Sequence, residues 1–216
     1  LESVQPRKSI MVSRSFGKAI RDISSLKEAI SNYTVTAAKK LRRQHSLCGS
    51  IYTFIQTNRF YLKDLQYSNS SVTAFNEPTQ DTLKLLKAVD ISLKKIYRPQ
   101  FGYHKAGIIL SQLTTKINAS SSEENTALYY KDIFSMQPDL FSVACENYTE
   151  VQKRERFTKA IDSINEKLGL DAIVYGAQGV EKKIQKSNKS KVDWRMKSYY
   201  RSSAYTTRWD QLLRVS

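Results

Sequence analysis

The chain has 216 residues, with 35 Lys and Arg against 20 Asp and Glu, a formal charge of +15, 40% hydrophobic residues and 11% aromatics. This is a globular composition with a strongly basic cast, long enough for one large domain or two small ones. The longest apolar runs, such as Ile108 to Leu110 and Ala172 to Tyr175, fall far short of the roughly 20 residues of a membrane-spanning helix, which excludes such a span and a membrane partner. Leu1 to Lys8 offers no apolar stretch for a signal peptide and the chain does not begin with Met, so it reads as a piece of something longer. Cys48 and Cys145 cannot build a disulfide framework, and with only His45 and His104 the ligands for a zinc site are too few. No cofactor and no metal site is expected in this chain, and a reducing, cytoplasmic setting fits.

The charge is uneven. Residues 1–111 hold 18 basic and 7 acidic side chains, residues 112–181 hold 7 and 11, and residues 182–216 hold 10 and 2. A basic body and a basic tail separated by a mildly acidic middle point to a polyanion gripped at the two ends, with nucleic acid favoured over a merely soluble Lys-rich surface.

Taken in order, Lys8 to Phe16 sets Ile10, Val12, Arg14 and Phe16 against Met11, Ser13 and Ser15, a period-two strand closed by Gly17. Ser25 and Glu28 form a capping box, opening a helix whose Leu26, Ile30, Tyr33, Ala37 and Leu41 recur at helical spacing, with Gly49 as its stop. Cys48, near that end, reads as a small buried hydrophobe. Ser50 to Thr57 and Tyr67 to Phe75 are strand candidates that should pair. Gln80 to Tyr97 places Leu83, Leu86, Val89, Leu93 and Ile96 on one helical face, and Tyr103 to Leu110 resumes strand character. The order βαββαβ predicts an α+β fold in which two helices cover one face of a four-stranded sheet and leave the other open.

From Gln112 to Asn125 the chain is polar and Ser-rich, a linker by composition. Beyond it, Glu150 to Leu168 reads as a helix (Val151, Phe157, Ile161, Ile164, Leu168) stopped by Gly169, followed by a short strand from Asp171 to Tyr175. The expected domains are a linker at 1–7, a βαββαβ domain at 8–111, a linker at 112–135, a peptide at 136–142 and a small α/β C-terminal domain with a basic tail at 143–216. One helix and one strand offer this last unit little core of its own.

There are no paired acidic residues on a strand, no Gly-rich phosphate loop and no histidine near a nucleophile, so no catalytic residues are assigned. His104 reads as a surface or sheet-edge residue. The open sheet face is more informative. Ser13, Arg14, Ser15, Thr53, Thr57, Ser68, Ser70 and Lys105 lie in or beside the predicted strands and offer hydroxyl and cationic donors suited to phosphate oxygens, the kind of contact that grips a duplex without reading it. A solvated sheet face would present the same residues, and the register of Arg14 with Ile10, Val12 and Phe16 sets it apart from the others. In the middle segment, Gln137, Leu140 and Phe141 have the form of a peptide that inserts two apolar side chains into a pocket while Gln bonds at its rim; Leu140 and Phe141 could equally pin the linker to its own domain.

Several stretches together carry a resemblance: Ser13 to Gly17 (SRSFG), Ala37 to Leu41 (AAKKL), Ser50 to Ile55 (SIYTFI), Pro78 to Asp81 (PTQD), Tyr103 to Gly107 (YHKAG), Ala177 to Gly179 (AQG) and Tyr205 to Val215 (YTTRWDQLLRV). Over nearly its whole length the chain resembles the C-terminal part of the UmuC-like catalytic subunits of bacterial Y-family translesion DNA polymerases, which act in SOS mutagenesis and DNA repair. The resemblance implies that 8–111 is a little finger domain whose sheet lies along the major groove of damaged or primer-template DNA, and that Gln137, Leu140 and Phe141 form a sliding-clamp peptide. Pro138 and Asp139 depart from the residues expected within that peptide. It further implies that the tail beyond Ala177 serves partners such as a UmuD′-like accessory subunit and RecA; Trp209 and the Lys-rich stretch Lys182 to Lys191 are departures. The palm, fingers and thumb, with the carboxylates that hold Mg2+ for nucleotide transfer, are not in this sequence, so the chain alone is not expected to be an enzyme. The resulting expectation is a DNA-gripping, clamp-recruiting fragment. Its rivals are a protein interaction module without DNA contact and an RNA-binding domain. The latter would need exposed aromatics on adjacent strands, whereas Tyr52 and Phe54 are expected to face the helices.

Overall fold

A computed structural model of the chain describes residues 7–61, 65–115, 148–169 and 172–179. Its elements are β1 (Ile10–Ile20), α1 (Ile23–Arg43), β2 (Ser46–Gln56), β3 (Ser68–Thr79), α2 (Thr82–Ile96), β4 (Tyr103–Thr115), α3 (Tyr148–Lys167) and a 3-10 turn at Gly176–Gln178. The first six follow the predicted βαββαβ order, an α+β fold. Strands lie in the order β1-β4-β2-β3, and every neighbouring pair is antiparallel. Each strand-helix-strand unit is therefore split by a strand of the other, which interlocks the two halves.

Both helices lie on one side of the sheet, because that side alone is continuously apolar. Leu26, Ile30, Tyr33, Ala37 and Leu41 of α1 and Leu85, Val89, Leu93 and Ile96 of α2 close over Val12, Phe16, Ile51, Ile55, Ile108 and Leu110 in one buried cluster. Each such Leu or Ile contributes on the order of 1.5–3 kcal/mol by leaving water. At one end of the cluster, Tyr67 stacks on Phe101 with ring centroids 4.5 Å apart and meets Tyr103 edge-on at 6.1 Å. The Tyr103 hydroxyl donates to the Arg98 carbonyl and accepts from its N–H, so the α2–β4 turn is tied down by aromatic packing.

The element ends differ from the sequence reading for local reasons. The cap of α1 is Asp22, whose carboxylate accepts from the Ser25 N–H at 2.7 Å; Ser25 is thus inside the first turn rather than the cap. The helix stops at Arg43, not at Gly49, because His45 takes a left-handed conformation with φ 51°, which His tolerates better than bulky residues do. Strand β2 consequently starts at Ser46, and Cys48 lies within it, donating to the Thr79 carbonyl at 3.3 Å. Burial pushes the Cys48 thiol up to about 12, leaving it an inert packing group. The early start of β2 gives β4 a partner to run on with: Thr115, Thr114 and Leu113 pair with Ser46, Leu47 and Cys48. Residues 112–115 are therefore strand, not linker, and the sheet domain extends beyond residue 111. Likewise β1 does not close at Gly17; it bulges between Ser15 and Ile20 and continues. In α2 the buried stripe runs through Leu85, while Leu83, expected in it, is 43% exposed. His104 lies on β4, a central strand and not a sheet edge.

Helix α3 ends as expected, with Gly169 at φ 99°. The strand expected after it does not form over Ala172 to Tyr175. The Asn165 side chain accepts from the Ile173 N–H at 2.8 Å and donates to its carbonyl at 3.0 Å, taking both groups that a strand would pair. Asp171 lies outside the described residues.

Candidate nucleic-acid interface

Because antiparallel partners share a face of the sheet, the strand register places the side chains of the uncovered face in rows. The first row is Ser15, Lys105, Gln56 and Ser68; the second is Ser13, Gly107, Phe54 and Ser70; the third is Met11, Ile109, Tyr52 and Val72. A fourth holds Ser111, Ser50 and Ala74, with the two serine hydroxyls bonded at 2.8 Å. No carboxylate stands in these four rows, so the only formal charge among them is the Lys105 ammonium. The first row leads at its β3 end into a cavity of about 210 Å³ lined by Gln56, Thr57, Arg59, Gln66, Tyr67 and Ser68, which sets a second cation, Arg59, beside the hydroxyl and amide donors.

Of the eight residues that the sequence proposes for this face, the structure brings together Ser13, Ser15, Ser68, Ser70 and Lys105. The other three lie elsewhere. Arg14 pairs in register with Ala106 on the helix side, where its charge acts on the Tyr33 hydroxyl; burial, opposed by Arg14, raises that hydroxyl to about 12. Thr53 pairs with Ile108 and is fully buried under the helices. Thr57 is buried in the β2–β3 turn, its hydroxyl accepting from the Tyr67 N–H at 2.9 Å. Arg14 lies where its register with Ile10, Val12 and Phe16 puts it, while the polarity of Thr53 and Thr57 serves a buried strand as well as an exposed one.

Tyr52 and Phe54 correct the reading in the other direction, for they stand on the open face and not under the helices. In β2 both alternating sets are apolar or aromatic, so its pattern does not say which is covered. Phe54 is nevertheless only 6% exposed, because it lies over Gly107. A Cβ built on Gly107 would meet the Ser13 Cβ and come within 2.7 Å of the Phe54 ring. The glycine is a seat for the ring.

The opposite side of the domain carries α3, joined by contacts that no local pattern announces. Arg42 makes a two-pronged pair with Asp162, at 2.6 and 3.0 Å, and donates to the Thr82 hydroxyl at 2.9 Å. Arg43 meets Glu166 at 3.1 Å. Further along α1, Asn32 and Gln178 exchange hydrogen bonds at 3.1 Å. The acidic edge of α3 and the 3-10 turn thus cover basic α1, leaving the charge on the sheet face without acidic cover. The expected peptide residues Gln137, Leu140 and Phe141 lie outside the described residues.

The described residues thus define a βαββαβ sheet module with one covered and one uncovered face. Residues 7–126 match the impB/mucB/samB family C-terminal domain, and residues 155–215 match a domain of unknown function, DUF4113. The chain belongs to the impB/mucB/samB family. It is 30% identical over 216 residues to Protein UmuC of Salmonella typhimurium, covering 100% of this chain and 44% of that protein. It is also 30% identical over 213 residues to Protein ImpB of Salmonella typhimurium, covering 97% of this chain and 42% of the other. The chain therefore spans under half the length of these curated relatives. Among solved structures it is similar to a chain in a complex of the beta-clamp processivity factor with the little finger domain of PolIV. That likeness has a TM-score of 0.38 and 13% identity, over 53% of this chain and 97% of that one. Among the described residues no group of three or more His, Cys, Asp or Glu is placed to hold a metal ion, and no helix is long and apolar enough to cross a membrane.

Proposed function

We propose that this chain is the DNA-holding, partner-tethering part of a UmuC-like translesion polymerase that works in SOS mutagenesis in the bacterial cytoplasm. Its open sheet face lies on the backbone of primer-template DNA. The observation that carries this reading is the first row of that face: Ser15, Lys105, Gln56 and Ser68 form a line of donors across all four strands, with Arg59 beside it and no carboxylate among the rows. Hydroxyl, amide and ammonium donors suit phosphate oxygens, which are the same at every step of a duplex, so binding should be blind to sequence over most of the interface and steeply salt-dependent. The polymerase chemistry, with its Mg2+, belongs to the rest of such a protein; this chain's contribution is to position DNA. Gln137, Leu140 and Phe141 supply the peptide for a sliding clamp, and the basic tail serves accessory partners such as a UmuD′-like subunit and RecA.

Fluorescence anisotropy of a labelled duplex at several salt concentrations tests the first part. Lys105→Glu is expected to weaken binding to unrelated duplexes alike and to lower the slope of log affinity against log salt by about 1. A slope and affinity unchanged by that substitution would remove Lys105 from the interface. For the peptide, Leu140→Ala with Phe141→Ala is expected to abolish capture by an immobilised clamp and to leave duplex affinity intact; clamp binding that survives the pair of changes would locate the contact elsewhere.

A further inference from the structure

The third row of the open face is apolar from edge to edge: Met11, Ile109, Tyr52 and Val72, one residue from each strand. Met11 is 50% and Val72 61% exposed. A phosphate-gripping surface has no use for such a stripe, and an exposed apolar line rimmed by polar residues marks a contact. Its place in the sheet says with what. Lys105 in the first row and Ser111 in the fourth belong to the same strand, β4. At about 3.4 Å per residue they stand roughly 20 Å apart. That span matches a major groove about 12 Å wide together with the phosphate walls on its two sides. With the outer rows on the two walls, the middle rows lie over base edges, and the small side chains of the second row, Ser13, Gly107 and Ser70, let the sheet approach closely.

We infer that the Met11, Ile109, Tyr52 and Val72 stripe packs on the C5 methyl groups of thymine, giving an otherwise sequence-blind grip a bias toward thymine-bearing DNA. The major groove presents donors and acceptors at every base pair, and its one apolar feature is that methyl. The inference rests on the duplex reading above and adds to it. The test uses the full chain and two labelled duplexes that are identical except that deoxyuridine replaces thymidine throughout, a change that removes only the methyls. The wild-type protein is expected to bind the uracil duplex more weakly, by about fourfold for each methyl covered. Met11→Ser with Val72→Ser, which leaves Ile109 and Tyr52, is expected to shrink the difference while keeping the salt slope, which shows the sheet and its phosphate grip still in place. Equal wild-type affinity for the two duplexes overturns the inference and leaves the duplex reading standing; so does a thymine preference undiminished by the double change. Failure to bind either duplex overturns the duplex reading itself.

Discussion

Replacing Gly107 with alanine is expected to cost about 1–3 kcal/mol of stability, read as a lower denaturant midpoint with an unchanged slope. The cost does not come from backbone conformation. It comes from where the new methyl must go: against the Cβ of Ser13 and within 2.7 Å of the Phe54 ring. β4 lies between β1 and β2, so the strand cannot step aside without breaking a ladder. The ring must leave and the backbone at Ser13 must give as well, and the nearby Tyr52 ring, 6.1 Å from Phe54 between centroids, loses its support. The same substitution should therefore roughen the open face and weaken duplex binding together with stability, whereas Lys105→Ser, at a half-buried position two residues away on the same strand, should weaken binding and leave stability unchanged. Phe54→Leu combined with Gly107→Ala should recover only the part of the lost stability that the ring contact costs, because the smaller side chain makes room on that side while the Ser13 Cβ stays in place. A wild-type midpoint for Gly107→Ala alone would show that Phe54 does not need its seat.

Arg42→Ala should release α3 from α1. The guanidinium joins three elements at once: Asp162 of α3 by two hydrogen bonds, Thr82 at the start of α2 by a third, and α1 by its own backbone. The Arg42 side chain is 11% exposed and that of Asp162 24%, so removing one partner strands a half-hidden charge. Full burial would cost about 3–5 kcal/mol; with the residual solvent access of this pair, roughly 1–3 kcal/mol is expected. That energy sits in one interface, so it should appear as faster amide exchange through α3 and the 3-10 turn while β2 and β4 keep their protection. Arg43→Ala is the internal control. Its side chain is 65% exposed in its pair with Glu166, and a contact of that kind contributes at most about 1 kcal/mol. Equal exchange in the two variants would contradict the role given to Arg42.

The contrast between those two arginines shows where sequence reading runs out. Lys39, Lys40, Arg42 and Arg43 form one basic run at the end of a helix, and nothing local separates the half-buried clasp from its exposed neighbour. The partner, Asp162, is 120 residues away. Local pattern suffices where one residue or one period decides: the alternation in β1 and the 3.6-residue periodicity of α1 place their apolar faces as observed, and Gly169 stops α3. Element ends were missed where a single residue departs from its usual behaviour, as His45 does by turning left-handed in place of the glycine expected to end the helix. The open face was legible where a strand has one polar and one apolar side, as in β1 with Ser13 and Ser15. It was illegible in β2, apolar on both sides, so that Tyr52 and Phe54 were expected under the helices and Thr53 on the surface. The stripe of the third row could not be seen at all before the register was known, since its four residues come from four strands.

Whether DNA lies on the uncovered sheet face can be read by methyl-detected NMR of the full chain titrated with a primer-template duplex. The methyls of Met11, Val72 and Ile109 report the open face, and those of Ile91, Leu83 and Ile164, all exposed on helices, report the other side. The first set is expected to shift progressively with added duplex and the second set to stay in place. Shifts confined to the helix-side methyls, with Met11, Val72 and Ile109 unmoved at saturation, would contradict that placement of the DNA.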